Sequence, residues 1–221
     1  MKRVVIATPT YTGEVNMRYT IALIKTIQIG MMRGIDIQVC YTAGDALVQK
    51  SRNYLLTLAL NNNADDLIFV DDDIEWDPEW IFKLLDYPVD VVGGVYRKKI
   101  DDAEIYAVRL TEPLEGDSRT GLMKVNGLAT GFLRLSRKAC LALWESSELY
   151  TNGMLPNEKM IFDLKIENGE LFSEDYVMSQ KLIALGFELW IDPRMCCVHI
   201  GPKSFVGHFI KWLEDNNRFQ K

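Results

Sequence analysis

The stretch Leu67-Ile68-Phe69-Val70-Asp71-Asp72-Asp73 sets a short apolar run directly against three consecutive carboxylates. The apolar part reads as a buried strand. Like charges this close raise one another's pKa unless something positive holds them ionised, so the strand end calls for a cation. Hard divalent ions such as Mg2+ or Mn2+ take oxygen ligands and leave positions open for phosphate oxygens. The triplet therefore points to a nucleotide or a sugar phosphate. In an extended segment residues 71 and 73 face one side and 72 the other, which would place a DxD pair on one face. An EF-hand reading of Asp71, Asp73, Glu75 and Asp77 fails, because Trp76 stands where the loop requires Gly and Phe82 where it requires Glu.

Towards the amino terminus, Val4 to Ala7 reads as a strand and Tyr19 to Met32 as a helix. Ile35 to Tyr41 is a second strand, and Gly44-Asp45 opens a second helix with Leu47, Tyr54, Leu55 and Leu58 at helical spacing. With Leu67 to Val70 this makes a β-α-β-α-β series, hence an α/β fold with a mixed, mostly parallel central sheet flanked by helices. Ligands of such sheets bind beyond the carboxyl ends of the strands, where Thr8 to Tyr11 and Asp71 to Asp73 both fall.

Beyond the triplet, Asp77-Pro78-Glu79 has the form of a helix start, with Asp77 as N-cap. Val89 to Tyr96, Ile105 to Leu110, Leu122 to Val125 and Gly131 to Leu135 read as strands, and Arg137 to Trp144 as a helix. The charged stretches Lys98 to Glu104 and Glu115 to Thr120 read as exposed. A strand is expected near Met160 to Ile166, a helix opening at Ser173-Glu174-Asp175, two short strands at Phe187 to Ile191 and Met195 to Ile200, and a helical tail carrying Phe205, Phe209, Ile210 and Leu213. No repeat or linker divides the chain, so 1–221 reads as one domain, with residues 1–100 the nucleotide-binding half and 101–221 the acceptor and catalytic half.

Composition narrows the function. Twenty-five Lys and Arg against 31 Asp and Glu leave a net charge of −6 with no basic block, which disfavours a nucleic-acid partner. Cys40, Cys140, Cys196 and Cys197 lack CxxC spacing and read as reduced thiols. No apolar stretch approaches a membrane span, and no signal-peptide pattern opens the chain, so a cytoplasmic location is expected. The oligomeric state is left open.

Several motifs recur in an order that resembles the nucleotide-diphospho-sugar glycosyltransferases of the GT-A fold, family 2-like, of bacterial or large-virus type. They are Thr8-Pro9-Thr10-Tyr11, Ser51-Arg52-Asn53, Asp71-Asp72-Asp73, Thr130-Gly131-Phe132, Ser173-Glu174-Asp175 and His199. The resemblance implies a metal-dependent transfer of a sugar from a nucleotide-diphosphate donor to a glycan or other hydroxyl acceptor, with Mn2+ or Mg2+ as cofactor. It makes Thr8, Pro9 and Tyr11 nucleotide contacts and brings Arg52 to the base or diphosphate. Asp45 is a base contact or, equally, the helix N-cap. Asp71 goes mainly to the ribose and also to the metal, Asp72 to the nucleotide, and Asp73 and His199 to the metal, with His208 as a competing imidazole. Lys203 would meet the diphosphate.

For the transfer itself, Asp175 is the expected base of an inverting enzyme, with Glu174 beside it. A helix amino terminus favours their ionised form and lowers their basicity, which burial against Trp76 or the sugar would offset. Gly93, Gly94 and Gly131 would let the sugar approach the backbone, and Trp76 and Tyr96 would serve as aromatic platforms or as core. Two rivals stand: a Mg2+-dependent phosphohydrolase of haloacid dehalogenase type, and a non-catalytic nucleotide-sugar binding module. Against the hydrolase, Glu75 stands where its motif carries Thr or Val.

Overall fold

The computed structural model describes residues 1–216 and 218. The first half reads β1 (Arg3–Pro9), α1 (Met17–Met32), β2 (Asp36–Thr42), α2 (Val48–Asn61), β3 (Asp66–Val70), β4 (Ile74–Glu75), α3 (Pro78–Asp86) and β5 (Val91–Tyr96). There follow β6 (Val108–Leu110), β7 (Gly116–Asp117), β8 (Leu122–Leu128), β9 (Phe132–Ser136), α4 (Arg137–Ser146), β10 (Lys165–Glu167), β11 (Glu170–Phe172), α5 (Glu174–Ala184), β12 (Leu189–Ile200), β13 (Ser204–Phe205) and α6 (Phe209–Asp215). The main sheet runs β2-β1-β3-β9-β5-β12-β8-β6, with β9 and β8 antiparallel to the rest.

Both faces of the sheet are covered, and the first strand shows why. Val5 and Ala7 join one buried cluster, with Leu67 and Phe69 of β3 and residues of α2, α4, α5 and α6. Val4 and Ile6 point the opposite way, with Ile68, Val70 and the inner sides of α1 and α3. Strands buried on two faces carry continuous apolar runs, which is how β1 and β3 read. Asp77 caps α3 as expected, accepting the Glu79 N–H at 3.0 Å with Pro78 in the first turn.

Four expectations are corrected. The second helix begins at Val48, not at Gly44-Asp45; Asp45 accepts the Leu47 N–H at 3.0 Å in a turn ahead of the helix, and Leu47 holds the cap position. No strand spans Met160 to Ile166. The Asn53 side chain accepts the Ile161 and Phe162 N–H groups at 3.0 and 2.8 Å and donates to the Phe162 carbonyl at 3.2 Å. The Lys181 ammonium takes the Met160 and Ile161 carbonyls at 2.7 and 2.9 Å. With the backbone of Met160 to Phe162 held by side chains, this part needs no ladder, and only Lys165 and Ile166 enter a strand, β10, paired with β11.

The two strands expected at 187–191 and 195–200 are one strand, β12, whose pairing with β5 shifts between Ile191 and Cys196. Asp192, buried at the shift, binds Arg194 and the Tyr87 hydroxyl. In the tail, Phe205 belongs to β13, and the helix starts only at Phe209.

Candidate active site

The carboxyl ends of β1 and β3 and the starts of α2 and α5 converge beyond the ends of the sheet's strands. Beyond β1, Pro9, Thr10, Tyr11, Asp45, Val48 and Ser51 line a cavity of about 310 Å³. Tyr11 is 66% exposed at its rim, so its ring is free to stack. Thr8 is turned the other way: its hydroxyl is 2.6 Å from that of Tyr19, inside the core.

The aspartate triplet is a turn rather than an extended segment, closed by the Ile74 N–H on the Asp71 carbonyl at 3.1 Å. The alternation expected of a strand does not apply, and the three carboxylates go to three different partners. Asp71 binds Arg52 at 2.9 Å, Asp72 lies beside Thr10, and Asp73 meets His199 and Lys99. Burial pushes Asp72 above the usual carboxylate range, opposed by the neighbouring Thr10, while Asp73 and Asp71 push it further up.

Arg52 is the centre of the site. It was expected to reach towards a ligand or face solvent; instead its side chain is 5% exposed and ringed by carboxylates. Nη2 donates to Asp71, and Nη1 donates to Glu174 and, at 3.0 Å, to Asp175. Burial alone would disfavour the guanidinium charge, but Asp71, Asp175 and Glu174 outweigh it and hold the group protonated. One cation thus joins the triplet to the start of α5.

Asp175 also accepts from the Thr130 hydroxyl at 2.9 Å. Its pKa is pushed up to about 7, chiefly by burial, with Arg52 pulling down and Glu174 and Asp71 pushing up. The lowering expected of a helix start is therefore outweighed, and not by Trp76, which lies in the opposite core layer. Ser173 occupies the cap position of α5 without a side-chain cap bond. Asp175 faces a cavity of about 170 Å³ whose walls include Tyr176, Ser173, Leu128, Lys98 and Arg109.

The second cluster surrounds Asp73. His199, near the end of β12, places Nε2 3.5 Å from Asp73 Oδ2 and Nδ1 2.9 Å from the Arg97 carbonyl. A carbonyl only accepts, so Nδ1 carries a hydrogen, and Nε2 is the ring nitrogen turned towards the Asp73 carboxylate. Burial would raise Asp73, but His199 and Lys99 prevail and hold it below its ordinary value. Among the described residues no group of three or more His, Cys, Asp or Glu is arranged to hold a metal. An oxygen and an imidazole nitrogen still fit a hard ion that takes its remaining ligands from water and phosphates.

Other expected residues fall elsewhere. Trp76 is 3% exposed, edge-on to Tyr19 with its N–H on Thr26, and belongs to the core. Tyr96 is buried too, its hydroxyl accepting from Gly131 N–H at 3.1 Å. A Cβ on Gly93 or Gly94 would meet the Phe132 or Met195 carbonyl at 2.7 or 2.8 Å, so these glycines serve strand packing, not sugar approach. Gly131 does stand in the site: a Cβ there would lie 2.5 Å from the Tyr96 hydroxyl and 2.9 Å from Asp71 Oδ2. Lys203 pairs with Asp101 on the surface, and exposed His208 precedes α6.

Three participants were not singled out from the sequence. Thr130 was read only as part of a motif, and Lys99 only as part of an exposed loop. Arg109, whose guanidinium lies 3.8 Å from the Tyr176 ring centroid, carried no signal. The polar run Ser51-Arg52-Asn53, with each residue under 5% exposed, could have warned that α2 turns charge inward.

No protein-family model and no curated protein matches the chain. Among solved structures it is similar to A197 from STIV, with a TM-score of 0.55 and 16% identity over 91% of this chain and 86% of that one. It also aligns with S. aureus TarS 1–349, at TM-score 0.43 and 16% identity over 92% of this chain and 59% of that one. A glycosyltransferase involved in the glycosylation of the major capsid of PBCV-1 aligns at TM-score 0.34 and 9% identity over 62% of each chain. Likeness at these identities bears on fold alone. The fold is a mixed, mostly parallel α/β sheet flanked by helices. Among the described residues no helix is long and apolar enough to cross a membrane.

Proposed function

We propose that the chain is a metal-dependent glycosyltransferase that moves a sugar from a nucleotide-diphosphate donor to a hydroxyl acceptor with inversion. The observation that carries this reading is the single buried guanidinium of Arg52, bonded both to Asp71 of the triplet and to Asp175. It fixes a candidate base against the expected donor site. The nucleotide lies between Tyr11, Pro9, Asp45 and the triplet, and the acceptor enters the cavity faced by Asp175.

Asp175 receives the acceptor hydroxyl proton on a carboxylate oxygen as the acceptor oxygen bonds to the anomeric carbon. The bond from that carbon to the diphosphate oxygen breaks, and the nucleoside diphosphate leaves with the electron pair. A carboxylate whose pKa is pushed up to about 7 is a stronger base than an exposed one, while still ionised in a useful fraction. Thr130 and Arg52 hold it in place. Asp73 and His199 would hold Mn2+ or Mg2+, which supplies positive charge to the departing diphosphate. Lys99 then has to give up Asp73, and is free to pair with phosphate.

No observation favours the phosphohydrolase, because Asp71 goes to Arg52 and Asp73 to His199 and Lys99 rather than both converging on one point. Metal-dependent hydrolysis of a nucleotide sugar, lost in Asp175→Asn with donor binding intact, is the expected result. Donor binding without turnover by wild type would leave the binding module instead.

A further inference from the structure

β2 is the edge of the sheet, and its outer side has no partner among the described residues. It pairs with β1 over all seven of its residues without a bulge. Edge strands are usually blunted by lysine, proline or a bulge; Asp36-Ile37-Gln38-Val39-Cys40-Tyr41-Thr42 has none of these. Its one charge, Asp36, is tied back to Arg3 at 3.0 Å.

The hydrogen-bonding parity of the edge is fixed. The Asp36 N–H goes inward to the Lys2 carbonyl, and the Thr42 carbonyl inward to the Thr10 N–H. Backbone groups alternate along a strand, so Asp36, Gln38, Cys40 and Thr42 serve β1, while Ile37, Val39 and Tyr41 aim both N–H and C=O at the open side. The side chains of those three lie on the α1 face, where Ile37 packs against Gly30. Val39 and Tyr41 are left 40% and 68% exposed. On α1 itself Met17, Ile24 and Met31 repeat every seven residues and stand exposed at 70%, 50% and 75%.

We propose that this edge binds a second copy of the chain by antiparallel β2–β2 pairing about a two-fold axis through Val39, joining the two sheets into one. The strand is complementary to itself in this register. Val39 meets Val39 and Ile37 meets Tyr41, each as a pair whose backbone groups face one another; three N–H groups from each copy give six intermolecular bonds. Gln38 faces Cys40 and Asp36 faces Thr42, so no like charges oppose. The axis puts α1 of both copies on one side of the joined sheet, where their exposed apolar residues extend the contact. The interface is independent of the proposed transferase activity.

Sedimentation velocity on the full chain, carried into the hundreds of micromolar, is expected to show a species of twice the 25.3 kDa chain mass. Val39→Lys, which sets two ammonium groups together at the axis while changing a part-exposed residue, is expected to return the chain to monomer with an unchanged melting temperature. Amide hydrogen exchange supplies the second reading. Ile37, Val39 and Tyr41 gain protection as concentration rises, while Gln38, Cys40 and Thr42 stay protected throughout. A wild-type chain monomeric at the highest concentration overturns the proposal. So does a dimer that survives Val39→Lys, or one in which those three amides exchange freely.

Discussion

Arg52→Met removes the one guanidinium shared by Asp71, Glu174 and Asp175 and substitutes an uncharged side chain of similar length. The three bonds it makes include two at 2.9 and 3.0 Å, and its side chain is 5% exposed, so water does not replace it freely. Breaking a buried pair by removing one partner costs about 3–5 kcal/mol, because the charge left behind is uncompensated. For a chain of this size each kcal/mol shifts Tm by roughly 2–4 °C, so a fall of roughly 6–20 °C is expected.

The pH dependence gives the test its sign. Arg52 pulls the Asp175 carboxyl down, so without it Asp175 titrates higher still in the folded chain than in the unfolded one, and the variant loses further stability as pH rises towards that raised value. Its deficit against wild type is therefore larger at pH 8 than at pH 5. Arg52→Lys restores one point charge but not the two-nitrogen geometry and falls between. Urea unfolding of the three proteins at both pH values measures the differences. A deficit for Arg52→Met below about 1 kcal/mol at pH 8, or one that grows on acidification, refutes the assignment of Arg52 as the cluster's cation.

Asp175→Asn is expected to abolish transfer while leaving donor affinity within about twofold, a split that steady-state kinetics and a binding titration resolve. Its stability also carries a sign: the folded Asp175 carboxyl keeps its proton up to about pH 7, whereas the unfolded one releases it near pH 4, so wild type loses stability across that window. The asparagine variant does not titrate there and gains on wild type between those limits, as thermal melts against pH would show. The same pKa predicts a wild-type rate that climbs through about pH 7 as the base ionises. Asn53→Ala strips the Ile161 and Phe162 N–H groups of their acceptor and is expected to cost about 2–4 kcal/mol in urea unfolding.

The strands buried on both faces were legible because their apolar runs leave no other reading, and so were the Asp77 cap and the approximate span of most helices. What the sequence concealed was side-chain satisfaction of backbone. Met160 to Ile166 has the composition of a strand, but Asn53 and Lys181, distant in sequence, take the hydrogen bonds of Met160 to Phe162, and only its end joins β10. The shift inside β12 was hidden for a related reason, since Asp192 at that point is held by Tyr87 and Arg194.

In the site, Arg52, Asp71, Thr130, Glu174 and Asp175 from four motifs do gather at the carboxyl ends of the strands, yet the pattern could not tell which of them face one another. Local alternation was the wrong guide to the triplet, because a turn sends each carboxylate to a different tertiary partner. Arg52 reads as one more helical cation until the fold places α5 against it. Thr8, Trp76, Gly93 and Gly94 sit beside the site in sequence but inside the core in space.

Thermal shift with a panel of nucleotide sugars, each with and without Mn2+, tests the central claim most directly. At a donor concentration about a hundredfold above Kd, the chain should gain about 2.7 kcal/mol, a rise of roughly 5–11 °C, for one donor class and only when metal is present. Asp73→Ala should lose the metal-dependent part of that rise. Wild type that shows no metal-dependent shift with any donor contradicts the account.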